Sequence, residues 1–157
     1  MRALIAEDDP VARRALKAYL SKADYEVVLA ADGLEAWTLL QQSDAPRLLI
    51  LDWMMPRMDG IQLCRKIRQR AENFYIYIVM LTAKSQRQDI LDGLEAGVDD
   101  YLTKPFNPQE LMVRLRAGRR ILNLQERLVV ACEKLQVFIA DNPEADLQNS
   151  TSLVDLS

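Results

Sequence analysis

Short apolar runs alternate along this chain with longer segments in which apolar residues recur every three or four positions. The runs are bounded by polar residues and predict five strands, at about 2–7, 25–30, 47–52, 75–82 and 99–102. The periodic segments predict helices at about 10–22, 60–71 and 86–96, one more after Asp32-Gly33 and another from Pro108. Uniformly apolar strands that alternate with helices are typical of a parallel sheet covered on both faces.

The same pattern predicts the topology of the sheet and the buried faces of the helices. The chain has no GxGxxG and no GxxxxGK[ST] loop, which argues against dinucleotide-binding and P-loop folds. We therefore predict an α/β fold with a flavodoxin-like, doubly wound, five-stranded parallel sheet in the order 2-1-3-4-5, five helices and an extended fifth helix. The apolar stripes predicted for the first two helices comprise Val11, Ala15, Leu16, Tyr19 and Leu20 in the first, and Leu34, Trp37 and Leu40 in the second.

Polar side chains follow four of these strands at the point where each strand ends. They are Asp8 and Asp9 after the first strand, Asp52 at the end of the third, Thr82 at the end of the fourth and Lys104 after the fifth. The carboxyl ends of parallel strands meet at one edge of the sheet, where open α/β sheets bind their ligands. The sequence therefore predicts that three carboxylates, a hydroxyl and an ammonium group converge there.

This set of side chains suits a hard divalent cation together with an anionic phosphate. Three carboxylates a few ångströms apart would repel one another, and one would take up a proton unless a cation joined them. The candidate donors are all oxygen and the chain contains no histidine, which favours Mg2+ before Ca2+. Thr82 can donate a hydrogen bond to an anionic oxygen, and Lys104 adds a positive charge. A nucleophilic carboxylate with such neighbours is typical of sites that form an aspartyl phosphate.

A purely structural role is open for each of these residues taken singly. An aspartate ahead of Pro10, either Asp8 or Asp9, is also typical of a helix N-cap. A threonine at a strand end and a Lys-Pro pair in a turn are both common. The ordered spacing favours the functional interpretation, because it leaves room for two βα units between Asp9 and Asp52 and for one unit before each later residue.

The same residues lie in motifs that resemble the receiver domain of two-component response regulators. The motifs span about residues 1 to 120 and are Glu7-Asp8-Asp9, LDWMMP from Leu51 to Pro56, Met58-Asp59-Gly60, LTAK from Leu81 to Lys84, and GVDDYLTKPF from Gly97 to Phe106. The resemblance implies a phosphorylation-dependent switch and not an enzyme, with self-catalysed phosphorylation and dephosphorylation at most. The implied partner is a histidine kinase or a histidine phosphotransfer protein.

The resemblance also implies which residues form the metal and phosphoryl sites. Asp52 is the implied phosphoacceptor, and Mg2+, with Mn2+ as a substitute, is implied to bind Asp8, Asp9, Asp52 and the backbone carbonyl of Met54. An alternative is a Mg2+-dependent phosphohydrolase with Asp52 as nucleophile. Haloacid-dehalogenase-type phosphatases need a second aspartate two residues further on, and that position is Met54, which argues against the alternative.

A second group of implied roles concerns switching. Thr82, Lys104 and the Ala83 backbone are implied to contact the phosphoryl group. Thr82 and Tyr101 are the implied switch residues, and they act on the surface of helix 4, strand 5 and helix 5. The bond between Lys104 and Pro105 is implied to be a cis peptide.

A scaffold with a vestigial pocket is a third class of function, which the intact set of polar residues disfavours.

Composition excludes some partners and compartments. The net charge of −3 gives no basic footprint and argues against direct binding of nucleic acid. The sequence has neither an apolar stretch long enough to span a bilayer nor a charged start followed by an apolar signal segment. Cys64 and Cys132 form no motif, so we expect reduced thiols in a cytoplasmic protein, with Cys64 facing the core.

The fifth helix is predicted to continue past the receiver-like segment. Apolar residues recur there at alternating spacings of three and four, at Ile121, Leu124, Leu128, Ala131, Leu135 and Phe138. This heptad seam predicts a parallel homodimer through residues 111–139, although a long amphipathic helix that folds back on its own domain has the same pattern. The face of helix 4, strand 5 and helix 5 is a second candidate surface for the dimer.

We predict three segments along the chain: a receiver domain at 1–120, a helical extension and coiled-coil candidate at 121–140, and a polar, disordered tail at 141–157. The sequence from Arg116 to Leu128 resembles the linker that joins receivers to cyclic-di-GMP-synthesising or phosphatase output domains. The chain is therefore either the receiver portion of a longer regulator or a receiver that signals through a partner protein.

Overall fold

The computed structural model describes residues 1–72, 74–83 and 87–144, without the side chain of Arg87. The strands are β1 (Arg2–Ala6), β2 (Glu26–Ala30), β3 (Leu48–Asp52), β4 (Tyr77–Thr82) and β5 (Asp100–Thr103). The helices are α1 (Pro10–Lys22), α2 (Gly33–Leu39), α3 (Gly60–Gln69), α4 (Arg87–Ala96) and α5 (Pro108–Asp141). Of the tail predicted to be disordered at 141–157, residues 145–157 lie outside the described residues.

The strands form one parallel sheet in the order β2-β1-β3-β4-β5, which confirms the predicted topology. The central strand β3 is buried along its whole length. Leu49 and Leu51 belong to the core cluster on one face of the sheet, and Leu48 and Ile50 belong to the cluster on the other face. Because both faces are covered, neither set of alternating side chains reaches water, and the strand is uniformly apolar.

The first two helices bury fewer residues than the apolar pattern predicts. In α1, Leu16 and Leu20 are buried, whereas Val11, Ala15 and Tyr19 are exposed. A single i, i+4 stripe is enough for α1 to contact the sheet, so the flanking apolar positions remain in water. In α2, Ala36 and the following Leu40 are buried, Trp37 is half-buried, and Leu34 is exposed, contrary to the prediction.

The C-terminal end of α4 is fixed by a Schellman motif. The Val98 N–H donates to the Gly93 carbonyl, and the Gly97 N–H donates to the Leu94 carbonyl, both at 3.1 Å. Gly97 has a φ of +96°, a left-handed conformation in which a side chain would be strained. The Arg68 side chain donates to the Gly97 carbonyl at 3.0 Å, so this turn is also held from α3.

The chain divides into two compact units, Met1–Leu122 and Asn123–Ser157. In the first unit, α5 buries a stripe at helical spacing that consists of Leu111, Leu115, Gly118 and Leu122. In the second unit, the apolar side chains of α5 are mostly exposed. No helix among the described residues combines the length and the apolar character needed to cross a bilayer.

Candidate functional site

The strand ends bring most of the predicted site residues to one edge of the sheet. Asp52 ends β3 and Thr82 ends β4, and these two strands are paired. Beyond β5, the Lys104 N–H donates to the Thr82 carbonyl at 2.8 Å, which holds the lysine beside β4. Beyond β1, the Glu7 N–H donates to the Ala30 carbonyl at 3.1 Å. The polar residues therefore emerge from an extended backbone ladder and not from freely placed loops.

Lys104 is shared between two carboxylates. Its Nζ lies 3.1 Å from Asp52 Oδ1 and 3.0 Å from Glu7 Oε2. Both carboxylates are buried, whereas the lysine side chain is 31% exposed. The ammonium group therefore offsets the repulsion between two acids that have little access to water.

Glu7, Asp8 and Asp52 form an acidic cluster that could hold a metal ion. One carboxylate oxygen from each residue lies within 4.8 Å of the others. Glu7 and Asp52 are buried and Asp8 is exposed, so water can complete a coordination shell from the Asp8 side. An all-oxygen set with room for water and a phosphate oxygen fits Mg2+.

Asp9, a member of the predicted metal set, lies outside this cluster. Its side chain caps α1 and accepts hydrogen bonds from the Val11 and Ala12 N–H groups at 3.1 and 3.4 Å. Pro10 occupies the first helical position, so the cap falls on residue 9 and its carboxylate turns toward the helix start. Glu7, which the sequence did not assign to the metal, is the third member of the cluster. The signal was present, because a proline at position 10 already favours Asp9 as the N-cap.

The pKa values of Glu7 and Lys104 are both raised, but by different causes. Burial raises the pKa of Glu7, the Asp52 carboxylate adds to the rise, and the Lys104 hydrogen bond opposes it. Burial alone would lower the pKa of Lys104, but its hydrogen bonds to Glu7 and Asp52 outweigh burial and raise that pKa. The lysine is therefore a cation at neutral pH, and the acidic cluster is stabilised by any further positive charge.

The remaining residues predicted to contact a metal or a phosphoryl group lie close to Asp52 in the chain or follow Thr82. Thr82 is buried, and the next residue, Ala83, is exposed. Met54 follows β3, and its side chain is 61% exposed. The backbone before it is anchored, because the Trp53 N–H donates to the Leu81 carbonyl at 2.9 Å.

The loop after Asp52 is also tied to the start of α2. Arg57 Nε donates to Asp32 Oδ2 at 2.8 Å, and the Gly33 N–H donates to the Met58 carbonyl at 3.2 Å. A Cβ on Gly33 would collide with that carbonyl, so the approach requires glycine. Arg57 has a φ of +66°, an unfavourable conformation for an L-residue that the ion pair with Asp32 helps to hold. The two contacts restrict the loop that carries Met54.

The predicted switch residue Tyr101 is half-buried on β5. Its ring packs against the core, and its hydroxyl donates to the Ile90 carbonyl of α4 at 3.3 Å. Burial, with the nearby Cys64 and Asp92, raises the pKa of Tyr101 to about 12. The bond between Lys104 and Pro105 is cis, as expected from the resemblance.

The residues predicted to form a dimer helix present exposed apolar side chains. In the first unit this residue is Ile121. In the second unit they are Leu124, Leu128, Leu135 and Phe138. An apolar seam on the surface of a helix is typical of an interaction face.

Comparison with known proteins places these observations in a family. Residues 3–116 match the family model of the response regulator receiver domain. Response regulator MprA of Mycobacterium avium is 44% identical over 117 residues, which make up 74% of this chain and 50% of that protein. The chain therefore spans about half the length of the curated relatives it matches.

Solved structures agree with this match. A probable two-component system response regulator/GGDEF domain protein superposes with a TM-score of 0.73 at 31% identity, over 78% of this chain and 50% of that one. The receiver domain of a sensor histidine kinase from Pseudomonas aeruginosa PAO1, whose structure has a magnesium ion in the active site cleft, gives a TM-score of 0.67 at 33% identity, over 74% and 94%. This chain belongs to the family of response regulator receiver domains, which are signalling domains.

Proposed function

We propose that Asp52 accepts a phosphoryl group and that the chain acts as a phosphorylation-dependent switch. The observation that carries the proposal is the contact of 3.1 Å between Lys104 Nζ and Asp52 Oδ1 beside the acidic cluster. One carboxylate oxygen of Asp52 attacks the phosphorus of the donor, and the bond from phosphorus to the donor nitrogen breaks. The electron pair leaves with the donor imidazole, and Asp52 becomes an aspartyl phosphate. The donor is a phosphohistidine of a histidine kinase or of a phosphotransfer protein.

Lys104 is placed to follow the charge during this transfer. Its ammonium group already contacts Asp52, so a small movement brings it to a phosphoryl oxygen. We assign the Thr82 hydroxyl and the Ala83 backbone N–H to the other phosphoryl oxygens. Positioned donors of this kind supply most of the catalysis in phosphoryl transfer, because the protein has little covalent chemistry to perform. The chain would therefore also phosphorylate itself from a small donor.

We assign metal binding to Glu7, Asp8 and Asp52, with the backbone carbonyl of Met54 as a further ligand. The cluster of oxygen donors within 4.8 Å supports this assignment. Bound Mg2+ would neutralise charge on the phosphoryl oxygens. Mn2+ should substitute, because it has the same charge and also prefers oxygen ligands.

Intact mass spectrometry after incubation with acetyl phosphate and Mg2+ tests the proposal. Wild type should gain the mass of one phosphoryl group, and Asp52→Asn should gain none. Asp24→Asn is a matched control, because Asp24 is exposed and its φ of 62° is a conformation that asparagine tolerates. Phosphorylated Asp52→Asn, or full modification of wild type in excess chelator, would contradict the proposal.

We infer that phosphorylation moves two residues in sequence. Thr82 is drawn toward the new charge, and Tyr101 turns inward into the space that Thr82 leaves, which changes the surface of α4, β5 and α5. Thr82→Ala should be phosphorylated almost as fully as wild type while the surface remains unchanged. An amide hydrogen-exchange map of α4 with and without acetyl phosphate distinguishes the two effects. A wild-type response in Thr82→Ala would contradict this order of events.

We propose that residues 1–120 form the receiver domain and that residues 121–140 form an extension through which two copies dimerise as a parallel coiled coil. The proposed dimer helix comprises 111–139, and its exposed seam supports the proposal. Flanking charges favour the parallel arrangement. The g positions are basic, at Arg120, Arg127 and Lys134, and the e positions are uncharged, at Gln125, Cys132 and Ile139. A parallel pair places g beside e, whereas an antiparallel pair would place basic residues beside one another.

Sedimentation of the full chain tests the dimer at tens of micromolar. Leu128→Glu should shift the chain toward monomer, because it places a charge in the seam. Gln136→Glu adds the same charge to the same helix away from the seam and should remain dimeric. Monomeric wild type, or equal behaviour of the two variants, would contradict the proposal.

We further propose that the output of this receiver lies in another domain or a partner protein, with no direct contact to nucleic acid. Relatives twice as long as the matched segment support an output in another domain. We also propose a cytoplasmic location, which agrees with the free thiols of Cys64 and Cys132.

A further inference from the structure

Gly93 lies in the last turn of α4, where glycine is unfavourable unless a neighbouring group excludes a side chain. Glycine in a helix interior is less favourable than alanine, because it loses more backbone freedom on folding. Gly93 is nevertheless buried, and its carbonyl accepts the first hydrogen bond of the Schellman motif. Neither the backbone conformation of a helix nor this carbonyl contact requires glycine, so the reason must lie in what faces its Cα.

The space beside Gly93 is filled by the end of the Tyr101 side chain. A Cβ built on Gly93 would coincide with the Tyr101 hydroxyl oxygen, collide with Cζ, and lie 3.1 Å from Cε1. The same hydroxyl donates to the Ile90 carbonyl, one turn earlier in α4. Gly93 and the Ile90 carbonyl together form a notch for the phenol. The space where a side chain at position 93 would lie holds the hydroxyl, and the Ile90 carbonyl accepts its hydrogen bond.

The backbone on both sides of this contact is held in place, so the tyrosine side chain is the part that can move. The last turn of α4 is fixed by the Schellman bonds and by Arg68, which contacts both the Gly97 carbonyl and Asp99. Tyr101 lies on β5, paired with Met80 of β4. A side chain added at position 93 would therefore displace the phenol before it displaced α4 or β5.

We propose that Gly93 is a positioning residue that holds Tyr101 with its hydroxyl at the Ile90 carbonyl, and that any side chain at position 93 shifts the α4, β5 and α5 surface toward its phosphorylated arrangement. The second half of this statement rests on the function proposed above. This contact, the seat of the phenol, opposes switching, because the phenol must leave Gly93 before it can turn inward. The strength of the seat therefore sets how much of the population switches without a phosphoryl group.

A double-mutant cycle in the unphosphorylated full chain tests the seat. Alanine stabilises a helix relative to glycine, so Gly93→Ala should raise the urea midpoint wherever nothing occupies the space. In the wild-type background, we expect Gly93→Ala to lower the midpoint, because it unseats the phenol. In the Tyr101→Ala background, the same substitution should raise it. Tyr101→Phe should restore little, because the ring atoms still meet the new methyl group.

Fluorine NMR of 3-fluorotyrosine reports where the ring goes. The Tyr101 resonance, assigned by its loss in Tyr101→Phe, should move in Gly93→Ala in the direction that beryllofluoride with Mg2+ produces in wild type. A midpoint that rises in both backgrounds would overturn the proposal. So would a lower midpoint with an unmoved Tyr101 resonance, because α4 and not the tyrosine would then have yielded.

The outcome is separable from that of the proposed function. The cycle and the position of the Tyr101 resonance in Gly93→Ala need no phosphoryl group. If acetyl phosphate failed to modify Asp52, the phosphoacceptor proposal would be wrong and the seat could still be present. If Asp52 were modified and Gly93→Ala behaved as an open helix position, the seat would be wrong and the receiver function would stand.

Discussion

Replacing Glu7 by glutamine should weaken metal binding and stabilise the metal-free protein at the same time. Glu7 is 1% exposed and shares Lys104 with Asp52. Glutamine has nearly the same shape, and its one oxygen can still accept a hydrogen bond from the lysine. The substitution therefore removes one charge and the acceptor of the Asp9 N–H bond, which is 3.2 Å long. Asp9→Asn is the matched control, because Asp9 is the position that the sequence assigned to the metal and asparagine caps a helix as well as aspartate does.

The size of both effects follows from the contacts. At 4.8 Å and an effective dielectric constant of about 20, two carboxylates repel by about 3.5 kcal/mol. Attraction between Glu7 and Lys104 at 3.0 Å would be about 5.5 kcal/mol on the same scale, but solvent around the partly exposed lysine reduces it by about half. Repulsion and burial together exceed what remains. We expect Glu7→Gln to raise the free energy of unfolding of the metal-free protein by about 1–2 kcal/mol.

Metal affinity should change in the opposite direction. Loss of one acidic group from the cluster should reduce the affinity for Mg2+ by about 10- to 100-fold. Asp9→Asn should change the affinity by less than about 3-fold and the stability by less than about 0.5 kcal/mol. Titration calorimetry measures the affinity, and urea unfolding in the presence of chelator measures the stability.

The pH dependence of stability gives an independent check of sign. The pKa of Glu7 in the folded protein lies above its ordinary value of 4.5, so the folded state binds the proton more tightly than the unfolded state. The protein therefore loses stability as the pH rises from 4.5 through the folded pKa, and Glu7→Gln should lack this loss. A larger loss of Mg2+ affinity in Asp9→Asn than in Glu7→Gln would refute the reasoning.

Three further predictions concern the two cysteines, the start of α2 and the central strand. A thiol reagent should label exposed Cys132 at once and Cys64 after unfolding, because burial raises the pKa of Cys64 to about 11; rapid labelling of both would contradict this. The hydrogen bonds from the Glu35 N–H and from Arg57 outweigh burial and lower the pKa of Asp32 below its ordinary value of 3.8. The stability that ionised Asp32 contributes is therefore lost as the pH falls through its folded pKa. In thermal melts recorded at a series of pH values, Asp32→Asn should reduce this loss at acidic pH. Ile50→Ala should cost about 3–4 kcal/mol in urea unfolding, because Ile50 is fully buried in the central strand.

The fold could be predicted because strands that are buried on both faces of a sheet appear in the sequence as uninterrupted apolar runs. Every residue of β3 and β4 is buried, so the apolar runs alone locate these strands. The buried faces of the helices were harder to predict from the sequence. Val11 and Tyr19 are apolar at helical spacing and still exposed, because the width of a buried stripe depends on how closely the helix approaches the sheet.

The sequence predicted the type of site and its position at the sheet edge, but not every residue of the acidic cluster. Asp52, Thr82 and Lys104 are placed by strand ends, which the sequence marks clearly. The choice between Glu7 and Asp9 depends on which carboxylate turns to the helix start, and that is decided by where α1 begins. The notch at Gly93 had no signal at all, because it exists only through the contact of α4 with a residue eight positions later in the chain.

The charges of the site explain why a phosphoryl group would act as a signal here. Three carboxylates against one ammonium group leave the cluster of Glu7, Asp8, Asp52 and Lys104 with an excess of negative charge, and a divalent cation would balance it. Transfer to Asp52 exchanges its single charge for a phosphoryl charge of about −2 that lies further from the sheet. Glu7 is buried and cannot follow that charge outward, whereas Lys104 is partly exposed and can. The lysine would therefore leave Glu7 for the phosphoryl oxygens, and Glu7 would then depend on the metal for its neutralisation. Metal and phosphoryl group are thus expected to bind cooperatively, with Glu7 as the residue that couples them.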